Sequence, residues 1–372
     1  MNKFIHILLI IIAASLFSSP AYCQIKIVDS TSGQPLPATT VFISNGNIGV
    51  ISDMYGNLSS EALNKLFTNT NGKGQVSIQH IEYENKNLSI RELKQLSIIK
   101  LNRVNNNLPD VVVKTKAKGY FVLQGYFRTY QAYDSIPLYF ADGIAEYYIP
   151  INEKYVKQRV LAYRVFGNKP LEEKVNKKGI ISVRTSAHIP TLNRKTIVES
   201  LDNSYTQKKT ILGYDILKND SLAGFVNYDT TNNINTKMYL DKIAPAKEIA
   251  KHFLGITIVS KKDELSESYK TTDTAHITMK DLININSNTI YFYKLKKGNP
   301  FTELEFIDEF YTIKKDFISE EDFKKIRETM QSIDLKDGHS YENNYWEDLG
   351  KYHIPPLNDA IRSLLGDKLT LY

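Results

Sequence analysis

Residues 25–43 read IKIVDSTSGQPLPATTVFI, and this stretch decides how the N-terminal part of the chain folds. Two runs rich in isoleucine, valine and threonine flank a segment that contains Asp29, Gly33, Pro35 and Pro37. Side chains branched at Cβ favour extended backbone, whereas aspartate, glycine and proline favour turns. The stretch therefore predicts two strands joined by a turn.

The same alternation of short strands and turns continues to about residue 104. Further runs of strand-forming residues lie at 49–53, 75–81 and 98–101, and Gly56 marks another turn. Ser89 and Glu92 have the spacing of a capping box, which predicts a short helical turn after the later strands. The pattern is typical of a small β-sandwich.

The order of these residues resembles the carboxypeptidase regulatory-like domain. The resemblance rests on IVD at 27–29, GQPLPA at 33–38, Val41, SD at 52–53 and Gly56. The chain departs from the family where Ala38-Thr39 replaces Gly-Ala and where Glu82 replaces a glycine, and residues 59–74 are longer and more helical than usual. The resemblance implies a seven-stranded, prealbumin-like β-sandwich over residues 24–104. It implies no metal site, because this module is the non-catalytic companion of zinc carboxypeptidases.

A segment after the module carries a second resemblance. LPDVVV at 108–113 is similar to the segment that follows this module in TonB-dependent outer-membrane receptors. The residues that follow are too few for the plug and 22-stranded barrel of such a receptor. Val111, Val112 and Val113 are therefore a candidate partner-binding segment, and the alternative is a plain linker strand within residues 105–119.

Residues 1–23 are predicted to be a secretory signal peptide. Lys3 precedes an apolar run at 4–17, and small residues lie just before Gln24. A membrane anchor is the alternative, but the run is shorter than the ~20 residues of a spanning helix. Cys23 leaves lipidation open beside simple cleavage. We expect an exported protein of the periplasm, or one associated with the outer membrane, in a Gram-negative bacterium.

The composition excludes several classes of protein. One cysteine in 372 residues is incompatible with a disulfide scaffold, a cysteine-rich zinc module or a cysteine-ligated iron–sulfur cluster. The net charge of +6 is spread over short basic clusters, so no nucleic-acid partner is expected. No later segment is long and apolar enough to predict a transmembrane helix in the mature chain. We expect no cofactor and no metal.

Residues 120–372 are predicted to form an α+β domain of unknown function around a large antiparallel sheet. Aromatic and β-branched runs predict strands, including one at 210–214 and a hairpin from 289–295 and 304–313. Helices are predicted to begin near Pro245, Ser319 and Pro356. The expected fold class is thus mainly β, a seven-stranded sandwich joined to a sheet domain with about three helices.

Asp142, Glu146 and Tyr148 form the densest polar and aromatic group in this domain, and they are the candidate ligand-binding residues. Two carboxylates could perform acid–base chemistry if they lay about 5–10 Å from each other in a cleft. Acids beside tyrosines also suit a saccharide- or peptide-binding surface. A solvated edge strand is the third interpretation.

The sequence contains no recognisable catalytic motif. It has no Gly-x-Ser-x-Gly, no phosphate loop and no His-Glu-x-x-His helix. His339 and Glu342 have the first spacing of a zinc carboxypeptidase, but His353 follows too closely to be its third ligand, so that activity is not expected. The sequence therefore favours a non-enzymatic cell-envelope protein that binds a partner or a small ligand. An envelope hydrolase using Asp142 and Glu146, an accessory to TonB-dependent uptake and a lipid carrier remain alternatives.

Overall fold

The fold is taken from a computed structural model. It describes residues 24–37, 39–43, 50–69, 74–80, 83–104, 118–151, 155–176, 186–229, 235–246, 248–253, 255–271, 276–296, 298–352 and 354–372. The predicted signal peptide at 1–23 and the segment Val111–Val113 lie outside these residues.

Seven short strands form two small sheets at the N-terminal end. They are β1 (Ile25–Asp29), β2 (Thr40–Ile43), β3 (Val50–Ile51), β4 (Asn57–Leu58), β5 (Gln75–Gln79), β6 (Lys86–Ser89) and β7 (Ile98–Leu101). One sheet has the order β4-β1-β7 and the other the order β3-β2-β5-β6. Their inward side chains, among them Ile27, Val41 and Ile78, share one core, so the predicted seven-stranded sandwich is confirmed.

Thirteen strands form one antiparallel sheet in the rest of the described chain. The first six are β8 (Gly119–Tyr133), β9 (Ile136–Pro150), β10 (Lys157–Gly167), β11 (Tyr205–Lys209), β12 (Gly213–Lys218) and β13 (Ser221–Asp229). The others are β14 (Asn235–Asp241), β15 (Ile249–Phe253), β16 (Ile256–Lys270), β17 (Leu282–Lys294), β18 (Thr302–Ser319), β19 (His339–Ser340) and β20 (Thr370–Leu371). The main order is β11-β12-β13-β14-β16-β17-β18-β8-β9-β10-β19, while β15 extends β16 and β20 pairs with β10. The predicted large antiparallel sheet is confirmed.

Helices are few and short. They are α1 (Ser60–Asn69), α2 (Ile90–Leu93), α3 (Lys169–Asn176), α4 (Ile197–Ser200), α5 (Glu320–Ile326) and α6 (Asp359–Arg362), with 3-10 turns at Met279–Asp281, Arg327–Thr329, Tyr345–Glu347 and Leu349–Tyr352. The capping box at Ser89 and Glu92 and the N-cap at Ser319 form as their spacing predicts. Within the described residues, none of the helices has the length and apolar character needed to span a bilayer.

Two local predictions are wrong. The helix expected from Pro245 is instead the strand β15, which pairs with Ile256–Ser260 of β16. Long-range pairing overrides the helical spacing of Ile249, Ala250 and Phe253 there. The strand expected at 210–214 is largely the turn between β11 and β12, closed by a hydrogen bond from Thr210 N to Gly213 O.

The central strands β8 and β9 of the large sheet are buried on both faces, and we name these faces by what they contact. The core face carries Leu123, Phe127, Tyr147 and Phe310, and residues 186–201 lie over it. Thr129 Oγ1 and Tyr147 Oη donate hydrogen bonds to the carbonyls of His188 and Pro190 in that segment, at 2.9 and 2.6 Å.

The opposite face, which we name the docking face, carries Tyr130, Phe140 and Ile307. Phe42 of the sandwich and Ile361 of α6 pack against these residues. The sandwich and residues 345–352 and 354–372, which we name the C-terminal segment, therefore cover the same side of the sheet.

Candidate functional site

Asp142 and Glu146 both lie on β9 and both point toward the docking face. Side chains at even spacing share a face of a strand, but four positions correspond to about 13 Å along it. Asp142 has only 1% of its surface exposed. The two carboxylates therefore lie on one face of β9, but the length of strand between them keeps them apart.

Asp142 is held by three neighbours. The Arg164 guanidinium donates to its two carboxylate oxygens at 2.8 and 2.5 Å. Tyr126 donates to Oδ2 at 3.2 Å and Tyr345 to Oδ1 at 3.1 Å. Burial, followed by the charge of Asp142, raises the pKa of both tyrosines, so they remain protonated donors.

A second buried ion pair lies beside the first. Arg128 pairs with Glu309 and also donates to Tyr311 Oη at 3.1 Å and to the carbonyl of Pro355 at 3.0 Å. The side chains of Arg128 and Glu309 are 5% and 8% exposed, so the pair is almost fully removed from water.

The strand register explains why these charges meet. Glu309 lies opposite Arg128, Arg128 lies opposite Asp142, and Asp142 lies opposite Arg164. Acid and base thus alternate across β18, β8, β9 and β10. Opposite charges at facing positions stabilise neighbouring strands, and we name this row the charge ladder.

Glu146 belongs to a separate, more accessible group. Arg159 Nε donates to its Oε2 at 2.6 Å, and the Tyr148 hydroxyl donates to the same oxygen. The ring of Phe323 in α5 lies 5.5 Å from that of Tyr148. Glu146 and Tyr148 are thus brought together, but Asp142 is bound elsewhere by a different arginine. The arrangement supplies no pair of adjacent carboxylates for acid–base chemistry at this place.

An acidic cleft lies at another part of the sheet domain. It has a volume of about 460 Å³ and is lined by Lys169, Glu172, Glu173, Asp337, Gly338 and Tyr372. This volume falls within the range of about 300–1,000 Å³ typical of small-molecule sites. No sequence pattern indicates the cleft, because its residues come from α3, from the turn before β19 and from the position after β20.

Some of the acidic side chains that line the cleft have hydrogen-bond partners, and others have none among the described residues. Tyr372 Oη donates to Glu172 Oε2 at 2.5 Å, and Lys169 Nζ lies 4.9 Å from the Tyr372 ring centroid. Among the described residues, no hydrogen bond or ion pair engages the side chains of Glu173 and Asp337. Two carboxylates that no described cation pairs with, in a cleft of three acids and one lysine, favour a cationic ligand.

Glu267 is a further buried acid, on the core face. Its Oε2 accepts hydrogen bonds from Ile197 N at 2.8 Å and from Tyr269 Oη at 2.5 Å. Burial raises its pKa to about 7, against an ordinary value of 4.5. Because it binds the N-terminus of α4 to β16, we interpret Glu267 as a structural acid.

This pKa predicts a pH-dependent stability. Between pH 4.5 and about 7 the folded chain retains a proton on Glu267 that the unfolded chain has lost. The free energy of unfolding therefore falls as pH rises through this window, by about 3 kcal/mol at most. Glu267→Gln is expected to remove that fall, measured by urea unfolding across the window. Exposed Glu328→Gln is the control, and an unchanged pH slope in Glu267→Gln would contradict the assignment.

Comparisons with known proteins add no identification. No protein-family model matches the chain, and no curated protein matches it. Within the described residues, no group of three or more His, Cys, Asp or Glu side chains is arranged to hold a metal ion.

Proposed function

We propose that this chain is a non-enzymatic exported protein of the cell envelope that binds a small cationic ligand through its sheet domain. The β-sandwich serves as a docking module, in keeping with the resemblance of residues 24–104 to the carboxypeptidase regulatory-like domain. The observation that carries the proposal is the cleft of about 460 Å³, in which the acids outnumber the bases.

The chemistry of the cleft suggests an amine as the ligand. Glu173 and Asp337 offer carboxylate oxygens, which accept hydrogen bonds from an ammonium group. The Tyr372 ring adds an aromatic surface, and Lys169 already lies over it, which shows that the ring accepts a cation. The charge ladder offers no comparable site, since its acids are each paired with an arginine and hold the sheet together.

Putrescine is the probe for this site, and 1,4-butanediol is its neutral counterpart. We expect calorimetric titration at low salt to detect putrescine and not the diol, because only the amine carries a charge. Glu173→Gln and Asp337→Asn should each weaken putrescine binding about tenfold, the effect of losing one charge-assisted hydrogen bond.

Glu321→Gln in α5 is the matched control, since it removes an exposed acid away from the cleft. Equal binding by the wild type and the cleft variants, or equal binding of amine and diol, would contradict the proposal.

The proposed compartment needs a separate test. We expect fractionation of cells that carry a C-terminally tagged chain to recover it in the periplasmic or outer-membrane fraction, with residues 1–23 removed. Recovery in the cytoplasm with these residues intact would contradict export. Cross-linking before extraction, with and without Val111–Val113, tests whether this segment contacts an envelope protein.

A further inference from the structure

The sandwich contacts the docking face at two places. At one, His80 Nε2 lies 2.8 Å from Nζ of Lys237 on β14. At the other, Phe42 packs with Tyr130 and Ile307 of β8 and β18. Strands β16 and β17 lie between these two contacts in the sheet order, so the sandwich spans them.

The part of the sheet between the contacts is polar although it is buried. It carries Ser266, Ser268, Asn284 and Asn288, each at most 3% exposed, and we name these residues the Ser/Asn strip. Within the described part of the chain, the hydroxyls of both serines, both polar side-chain atoms of Asn284 and Oδ1 of Asn288 have no hydrogen-bond partner. Buried polar atoms of this kind disfavour the docked state, because water would satisfy them once the sandwich moved away.

The contact at His80 depends on the charge of its ring. A neutral imidazole nitrogen can accept a hydrogen bond from the Lys237 ammonium, whereas a protonated ring has no acceptor. Burial, together with the charges of Lys237 and Arg103, lowers the pKa of His80 well below its ordinary 6.5. Docking therefore favours the neutral ring.

A backbone hydrogen bond with Pro37 favours the charged ring of His80, but burial and the charges of Lys237 and Arg103 outweigh it. Tyr83 contacts the ring edge-on, with centroids 4.8 Å apart, and donates its hydroxyl to Asp29 at 2.7 Å. Asp29 also lies 4.0 Å from Nε of Arg103. The carboxylate of Asp29 is thus engaged by Tyr83 and Arg103, and the charge that faces His80 across the interface is that of Lys237.

We propose that acidification releases the sandwich from the large sheet by protonating His80, which uncovers the Ser/Asn strip. This site is distinct from the cleft, so the inference does not depend on the proposed ligand. Acidification favours release because the two states bind the proton of His80 at different pH. The released state binds it near the ordinary pKa of 6.5, while the docked state binds it only at lower pH. The docking equilibrium should therefore shift toward release by up to about tenfold for each pH unit below that value.

Small-angle X-ray scattering of the mature chain tests this inference. We expect the radius of gyration to rise between about pH 7.5 and about pH 5 as the two parts separate, while far-ultraviolet circular dichroism stays constant. His80→Gln keeps an acceptor for Lys237 and cannot be protonated, so it should remain compact over the same range.

Two further variants make the test specific. Lys237→Met removes the facing charge, and the pH dependence of its radius of gyration should be weaker than that of the wild type. His252→Gln changes an exposed histidine on β15 and should behave as the wild type. A wild-type radius that does not change, an equal rise in His80→Gln, or loss of the circular dichroism signal together with the rise would each overturn the inference.

Discussion

Arg128→Leu is expected to lower the free energy of unfolding by about 3–5 kcal/mol, because it leaves Glu309 as an unpaired charge in the interior. The guanidinium also donates to Tyr311 and to the carbonyl of Pro355, and both would lose that donor. Chemical denaturation followed by circular dichroism measures the loss.

The double variant Arg128→Leu with Glu309→Leu separates the charge effect from packing. Replacing both partners of a buried pair by apolar side chains is often nearly neutral, so we expect most of the stability to return. Lys325→Leu is the control, since its pair with Asp322 is exposed and contributes little to stability. A loss below about 1 kcal/mol in Arg128→Leu would contradict the buried charge ladder.

Asp142→Asn is expected to lower the free energy of unfolding by about 3 kcal/mol and to loosen the C-terminal segment. The amide keeps the shape of the carboxylate, but it cannot balance the charge of Arg164. That guanidinium lies 3.5 Å from the ring centroid of Trp346, the single tryptophan of the chain. Tyr345, the neighbour of Trp346, donates directly to Asp142.

The fluorescence of Trp346 measures the loosening of the C-terminal segment directly, because Trp346 lies in that segment. We expect the emission of Asp142→Asn to shift toward that of a solvated indole at denaturant concentrations where the wild type is unchanged. Asp316→Asn is the control, because its side chain is 57% exposed and its pair with Lys314 is long, at 3.6 Å. Identical emission in Asp142→Asn and the wild type would contradict the role of Asp142 in holding this segment.

Local signals in the sequence predicted much of the fold. The strand and turn pattern of residues 25–43 predicted β1, β2 and the turn between them, and the caps at Ser89 and Ser319 predicted where short helices begin. These features depend on neighbours within a few positions, which is why they can be recognised without the tertiary structure.

Features that depend on strand register were not predictable. Arg128 and Glu309 meet across 181 positions of sequence, and no local pattern shows that they face each other. Likewise, the closeness of Asp142 and Glu146 in the sequence suggests a pair, whereas each is neutralised by an arginine from the next strand, β10. The spacing of residues 249–253 predicts a helix, but pairing with β16 makes them the strand β15.

The cleft could not be predicted from the sequence either, because its residues are distant in the chain. Glu173 and Asp337 are ordinary surface acids in the sequence, and they line one cleft only because α3 and the turn before β19 are neighbours in the fold. The resemblance of the N-terminal module gave an expectation for the sandwich and none for this site.

A crystal structure of the chain grown with putrescine tests the central claim most directly. The account predicts one ammonium group within hydrogen-bond distance of the carboxylates of Glu173 and Asp337, in the cleft beside Tyr372. A putrescine bound elsewhere, or an empty cleft at a concentration that saturates the chain in solution, would contradict it.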